Sequence, residues 1–260
     1  MNDNRYNFVT TFAEHHKHGV EMVRSWLDNV SDARAYLNVY YEGDINQLSK
    51  DIGWEHPDDY KGFVTLHSYD TAPASHFRKI IHPHESSYVY ASTNSSEYDN
   101  KLMFKMHASR FCHKIFALDQ HMGGQLKWPD KAGSYVGWID ADTVVHTEIE
   151  EGFFDSLVDE DTYMSYLART ERHSECGFLL FNTDHWMHPM YWKDMTSMFY
   201  NFKLIYEKEW HDSYLFDVVR KTFDQDAFKK IHEIDKGDVF GQSVLGQYMT
   251  HYKGPQTVGK

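Results

Sequence analysis

The apolar positions of this chain alternate or recur at helical spacing in its first and last parts, with an irregular stretch between. Phe8-Val9-Thr10-Thr11-Phe12 carries the aromatic and β-branched content of a short strand. Beyond His15-His16-Lys17-His18-Gly19, the residues Val20, Val23, Trp26, Leu27 and Val30 recur at helical spacing. Ala35-Tyr36-Leu37-Asn38-Val39-Tyr40-Tyr41 then reads as a second strand, closed by Glu42-Gly43-Asp44. Strand, helix and strand within about 35 residues make a βαβ unit, so a parallel sheet is expected.

Residues 45–100 are polar, rich in His and Ser, and interrupted by Pro57, Pro73 and Pro83. They read as short helices and loops, a lid or an acceptor-side insertion. Helical periodicity returns over residues 101–119 through Met103, Met106, Phe111, Ile115 and Leu118, and a connector with Gly123-Gly124 and Pro129 follows. Ser134-Tyr135-Val136-Gly137-Trp138-Ile139 and Gly177-Phe178-Leu179-Leu180-Phe181 are further strands. An aromatic helix is expected over residues 189–207, and another is opened by the capping chemistry of His211-Asp212-Ser213. No internal repeat or low-complexity linker divides the chain, so one α/β domain is expected over residues 1–260.

Composition narrows the function. With 41% hydrophobic and 25% charged residues the chain is globular. A net charge of −13 argues against a surface built wholly to hold nucleic acid, although a local basic groove is compatible with it. Cys112 and Cys176 are too few and too far apart for a disulfide framework, which suits a reducing compartment. No secretory signal opens the sequence and no apolar run reaches the ~18 residues of a membrane span. A cytoplasmic protein is the expectation; oligomeric state is not legible.

Asp140-Ala141-Asp142 follows an apolar strand directly and precedes Val144-Val145. Two carboxylates one residue apart at the carboxyl end of a strand, where open α/β sheets bind ligands, can address one hard cation. Asp159-Glu160-Asp161 and Asp224-Gln225-Asp226 have the same spelling without the preceding strand.

The segment from Tyr135 through Asp140-Ala141-Asp142 to Val145 resembles the metal-binding strand of GT-A glycosyltransferases, most closely the family 8, glycogenin-like group. Glu175-Cys176-Gly177 resembles that group's Asn-Ala-Gly strand, His211-Asp212-Ser213 its Asp-Gln-Asp helix start, and His251-Tyr252-Lys253-Gly254 its terminal His-x-x-Gly motif. The resemblance implies a single Rossmann-like domain with a mixed, mostly parallel sheet flanked by helices. Residues 1–145 would form the nucleotide-binding half and 146–260 the acceptor and catalytic half. Asp140, Asp142 and His251 would hold Mn²⁺ or Mg²⁺, manganese being preferred because it accepts an imidazole more readily. Thr10, Thr11, Phe12, Glu42, Arg110, Lys114, Ala141, Lys253 and Gly254 would bind the nucleotide-sugar donor, expected to be UDP-linked. Cys176 and Gly177 would face the acceptor. Asp212 is the first candidate for the catalytic carboxylate and Glu175 the second.

Ser213 and Glu175 depart from the family pattern, which has Gln and Asn there, so the stereochemical outcome stays open. The literal Asp224-Gln225-Asp226 is a rival for the helix start. The expected acceptor is a carbohydrate or glycoconjugate. The clusters Lys101/Lys105/Arg110/Lys114 and Arg220/Lys221/Lys229/Lys230 leave a nucleic-acid acceptor as an alternative. A nucleotidyltransferase would use paired aspartates too, although no Gly-rich phosphate loop is present. A non-catalytic sugar-nucleotide-binding protein is the remaining alternative.

Overall fold

The computed structural model describes residues 5–16, 18–54, 63–93, 104–125 and 134–252. The opening βαβ unit forms as the pattern predicts. Strand β1 (Arg5–Ala13) turns into helix α1 (Gly19–Asn29), and β2 (Ala35–Glu42) pairs with β1 in parallel from Tyr6↔Ala35 to Ala13↔Glu42. The turn is tight: a β-carbon on Gly19 would sit 2.3 Å from the Phe12 ring.

The middle of the chain is more regular than its composition suggests. It holds α2 (Ile45–Asp51), strand β3 (Val64–Ser68) parallel to β2, and the 22-residue helix α3 (Ala72–Thr93). Ala74, Phe77 and Ile81 are buried at helical spacing, but the next position on that face is Glu85, a buried carboxylate. Its charge is met by the Ser109 amide at 2.7 Å and the Ser109 hydroxyl at 2.8 Å. Pro83 and Lys79 lie on the exposed face. The carbonyl that loses its helical partner to the proline ring is therefore hydrated at little cost.

Helix α4 (Ala108–Gln125) continues through Gly123-Gly124, which reads as a connector in the sequence. Strand β4 (Ser134–Ile139) has the expected bounds, and β5 (Thr143–Val145) follows it. Strands β6 (Met164–Arg169) and β7 (Glu175–Asn182) come next, then α5 (His188–Tyr200). The expected helix over residues 189–207 stops early because Phe202 adopts a left-handed φ of 55°, and a 3-10 turn, Lys203–Tyr206, follows. Stacking of Phe202 on Phe77, with centroids 5.6 Å apart, holds that conformation. Helix α6 (Asp212–Arg220), strand β8 (Phe228–Ile234), the short α7 (Val239–Gln242) and β9 (Met249–His251) complete the described elements.

One seven-stranded sheet runs β3-β2-β1-β4-β7-β6-β8, with β7 antiparallel to both neighbours and the other pairings parallel. This is the expected mixed, mostly parallel α/β architecture. Alternation along the strands sends Val9, Val136 and Trp138 to a core shared with α3, α4, α5 and α6. Phe8, Tyr135 and Ile139 enter the opposite core, with α1, α2 and α7. Among the described residues no helix is long and apolar enough to cross a membrane.

Candidate active site

Strand β4 delivers Asp140-Ala141-Asp142 at its carboxyl end, and β5 carries the chain on into a two-stranded ribbon with β9. The pairing Thr143↔His251 sets the imidazole beside the acidic triplet. His251 Nε2 lies 3.4 Å from Asp140 Oδ2 and 3.1 Å from Asp142 Oδ1. The Tyr252 amide donates to the Asp142 carbonyl at 2.8 Å and locks the ribbon to the triplet. Gly177 on β7 makes the packing possible, since its Cα faces both the His251 ring and Asp140.

Lys114 of α4 reaches the same place from the other core. Its ammonium is 2.5 Å from Asp212 Oδ2, 3.3 Å from Asp140 Oδ1 and 2.7 Å from the Cys176 carbonyl. It also lies over the Trp138 ring at 5.2 Å, while Trp138 Nε1 donates to Asp140 at 2.5 Å. Burial works against the Lys114 charge, but Asp140 and Asp212 overcome it and lift the ammonium above its ordinary value. Burial alone would also raise the Asp140 carboxyl. Lys114, with hydrogen bonds from His251 and Trp138, instead holds it well below the usual carboxylate range. For His251, burial is outweighed by hydrogen bonds to Asp140 and Asp142, which push the imidazole up to about 10.

Asp140, Asp142, Asp212, Lys114 and Trp138 border a cleft of about 610 Å³, also lined by Thr11, Phe12, Glu42, Arg110 and Ala141. Apart from Trp138, these are residues the sequence nominates. Others are placed differently. Thr10 is fully buried, its side chain on the Phe8 and Phe12 side of β1, so it does not line the cleft. Cys176 is buried and its carbonyl accepts from Lys114, and Gly177 packs against the His251 ring; neither lines the cleft. Glu175 is ion-paired with Arg169 and accepts from the Gly177 amide at 3.2 Å; it does not line the cleft. Lys114 lines the cleft with its ammonium held between two carboxylates. Lys253 and Gly254 lie outside the described residues.

The rival Asp224-Gln225-Asp226 forms an exposed 3-10 turn that leads into β8 at the sheet edge. Asp224 accepts from the Asp226 amide at 3.2 Å, and neither carboxylate borders the cleft. Much of the basic surface that kept nucleic acid open is neutralised in place: Lys105 by Glu209, Arg220 by Asp217, Lys229 by Asp159 and Lys230 by Glu233. Lys101 lies outside the described residues. Arg78, His107, His113, His15 and His16 also line the cleft, and no family motif in the sequence singles them out. Arg78 sits one position after Phe77 on a helix whose pattern Glu85 interrupts. His107, Arg110 and Lys114 share spacing of three and four residues, a signal present in the sequence.

No protein-family model and no curated protein matches the sequence. Solved structures do resemble the folded chain. The bifunctional glycosyltransferase WbbM matches 97% of this chain at 12% identity, with a TM-score of 0.50. The fold is the GT-A fold. Mouse xyloside xylosyltransferase 1 matches 88% of the chain at 13% identity, over 85% of its own length, with a TM-score of 0.47. The galactosyltransferase LgtC, in complex with donor and acceptor sugar analogues, matches 87% at 11% identity, over 73% of its length, with a TM-score of 0.46. This chain spans only 46% of the WbbM chain.

Proposed function

We propose that this chain is a metal-dependent glycosyltransferase of the family 8 kind that moves a sugar from a UDP-linked donor to a carbohydrate or glycoconjugate acceptor. The observation that carries the reading is the convergence of Asp140, Asp142 and His251, whose ligand atoms all lie within 4.8 Å of one another beside the cleft. Two carboxylates and an imidazole suit Mn²⁺, and Mg²⁺ less well. When bound, the metal supplies positive charge to the departing nucleoside diphosphate.

The protein's own groups divide the remaining work. Thr11, Phe12 and Glu42, at the ends of β1 and β2, line the side of the cleft suited to the nucleoside, within the half spanning residues 1–145. Asp212, from the half spanning residues 146–260, presents a carboxylate to the cleft from the first turn of α6. One of its oxygens is turned to Lys114, and the other accepts from the Ser213 amide at 2.8 Å. So fixed, it is suited to orienting an acceptor hydroxyl or steadying positive charge at the anomeric carbon. Glu175, held by Arg169, is a poorer candidate for a base.

The test is a thermal-shift screen of nucleotide-sugars with and without Mn²⁺, followed by donor hydrolysis. A UDP-sugar should raise the melting temperature only when Mn²⁺ is present. Asp142→Asn should abolish both that shift and the Mn²⁺-stimulated hydrolysis. Undiminished hydrolysis in the variant would overturn the reading.

A further inference from the structure

Away from the cleft, a second set of ligating groups converges ahead of α6. His173, in the β6–β7 loop, and Glu209 and His211, just before the helix, place their ligand atoms within 4.8 Å of one another. Both imidazoles aim at one carboxylate oxygen. Glu209 Oε2 lies 2.9 Å from His211 Nε2 and 3.3 Å from His173 Nε2. A cation about 2.1 Å from each ligand needs donor atoms separated by about 3 to 3.5 Å, which these distances already approach.

The outer contacts have the form metal sites use. His173 turns its other nitrogen, Nδ1, toward Asp217 Oδ2 at 3.9 Å. Asp217 is itself fixed by the Ser174 amide at 3.0 Å, the Ser174 hydroxyl at 2.7 Å and Arg220 at 3.0 Å. Lys105 occupies the far oxygen of Glu209 and leaves Oε2 to the imidazoles. Carboxylate backing of a ligating histidine fixes its tautomer and ring plane. His211 and Asp217 are buried, and His173 is 35% exposed, so an ion can enter from that side.

We infer that His173, Glu209 and His211 form a second metal site, selective for a zinc-type cation and separate from the aspartate cluster. Two imidazoles and one carboxylate, with a fourth position open to water, make a tetrahedral donor set of the kind Zn²⁺ takes. Binding requires each ring to present the Nε2 lone pair, so the hydrogen carried there moves to Nδ1. For His173 that hydrogen then faces Asp217. For His211 the change gives up the long 3.4 Å bond from the Tyr214 amide. His211 directly precedes Asp212, so an ion here clamps the start of α6, and with it Asp212, to the β6–β7 loop.

The experiment is Co²⁺ and Zn²⁺ titration of the full chain in citrate, which suppresses weak surface histidine binding, for wild type, His173→Ala and Asp142→Asn. His173 is a loop residue, and its replacement leaves the His211 cap in place. Wild type should take up two equivalents and each variant one. With His173→Ala the tetrahedral Co²⁺ absorption should disappear, and the Zn²⁺-induced rise in melting temperature should shrink to the part that the aspartate cluster supplies. Equal uptake by wild type and His173→Ala overturns this inference and leaves the aspartate cluster standing. One equivalent in wild type, none in His173→Ala and one in Asp142→Asn supports this site and removes the other.

Discussion

A β-carbon placed on Gly177 would lie 2.6 Å from His251 Cε1 and 2.9 Å from its Nδ1. The glycine is thus the floor on which the imidazole rests, and the added carbon would also lie 3.3 Å from Asp140 Oδ2. Gly177→Ala should push His251 off the aspartates. The expected result is a loss of Mn²⁺ affinity of about 10- to 100-fold, with overpacking costing about 1–3 kcal/mol of stability. Calorimetric titration with Mn²⁺ checks the first and urea unfolding the second; unchanged affinity would mean that the ring position is immaterial to the ion.

Lys114 is the only ammonium that the described residues place between Asp140 and Asp212. Lys114→Met removes the cation that the two carboxylates share, a loss of about 3–5 kcal/mol. Adding Asp212→Asn should recover part of it, and Mn²⁺ should stabilise the single variant more than it stabilises the wild type. Urea unfolding in EDTA and in Mn²⁺ measures all three. Equal destabilisation with and without the metal would refute the electrostatic account.

Asp212 and Asp224 separate cleanly by function. Asp212→Asn should lower turnover on the order of 100-fold while leaving UDP-sugar affinity nearly intact. Asp224→Asn touches only an exposed turn cap and should cost under about 1 kcal/mol with full activity. Steady-state kinetics on the two variants decides; inactivity of the Asp224 variant alone would move the catalytic carboxylate to the sheet edge.

Two core imidazoles predict acid sensitivity. His121, hydrogen-bonded to the Tyr40 hydroxyl at 3.1 Å, is lowered to about 4 by burial and then by His67. His188 is lowered to about 4 by burial, which outweighs the opposing charge of Asp184. Folded, both rings stay neutral until about pH 4; unfolded, they take up protons near 6.5, so between these values the unfolded chain binds more protons. Their stabilisation is complete above pH 6.5 and is lost as the pH falls through that window, up to about 3 kcal/mol for each ring. Denaturation curves at pH 7 and 4.5 should show the decline, and His121→Gln or His188→Gln should flatten it by one proton each. A slope untouched by both substitutions would place the acid sensitivity elsewhere.

The elements that the sequence discloses are those whose apolar pattern no charged residue breaks. Strand β4 and the first βαβ unit repeat apolar residues without interruption, and their bounds follow. Helix α3 hides because Glu85 occupies a core position and Pro83 an exposed one, so a well-packed helix has a loop-like composition. Strand β8 is an edge strand in which Lys229 and Lys230 blunt the pattern. At the site, the aspartate triplet is local and readable, and His251 is reached only through the motif order that the family resemblance supplies. Lys114 is the instructive case: a basic residue on a helix facing an anionic ligand and one that neutralises two carboxylates have the same sequence. Only the packing of α4 against β4 and β7 distinguishes them.

The ribbon of β5 and β9 rests on three residue pairs, yet it supplies an entire ligand of the cluster. Cation uptake and closure of that ribbon are consequently one equilibrium seen from two ends. Manganese should slow amide exchange at Met249, Thr250 and His251 more than anywhere in the seven-stranded sheet. Conversely, a protease that nicks the ribbon would silence the cluster while the rest of the molecule stays folded.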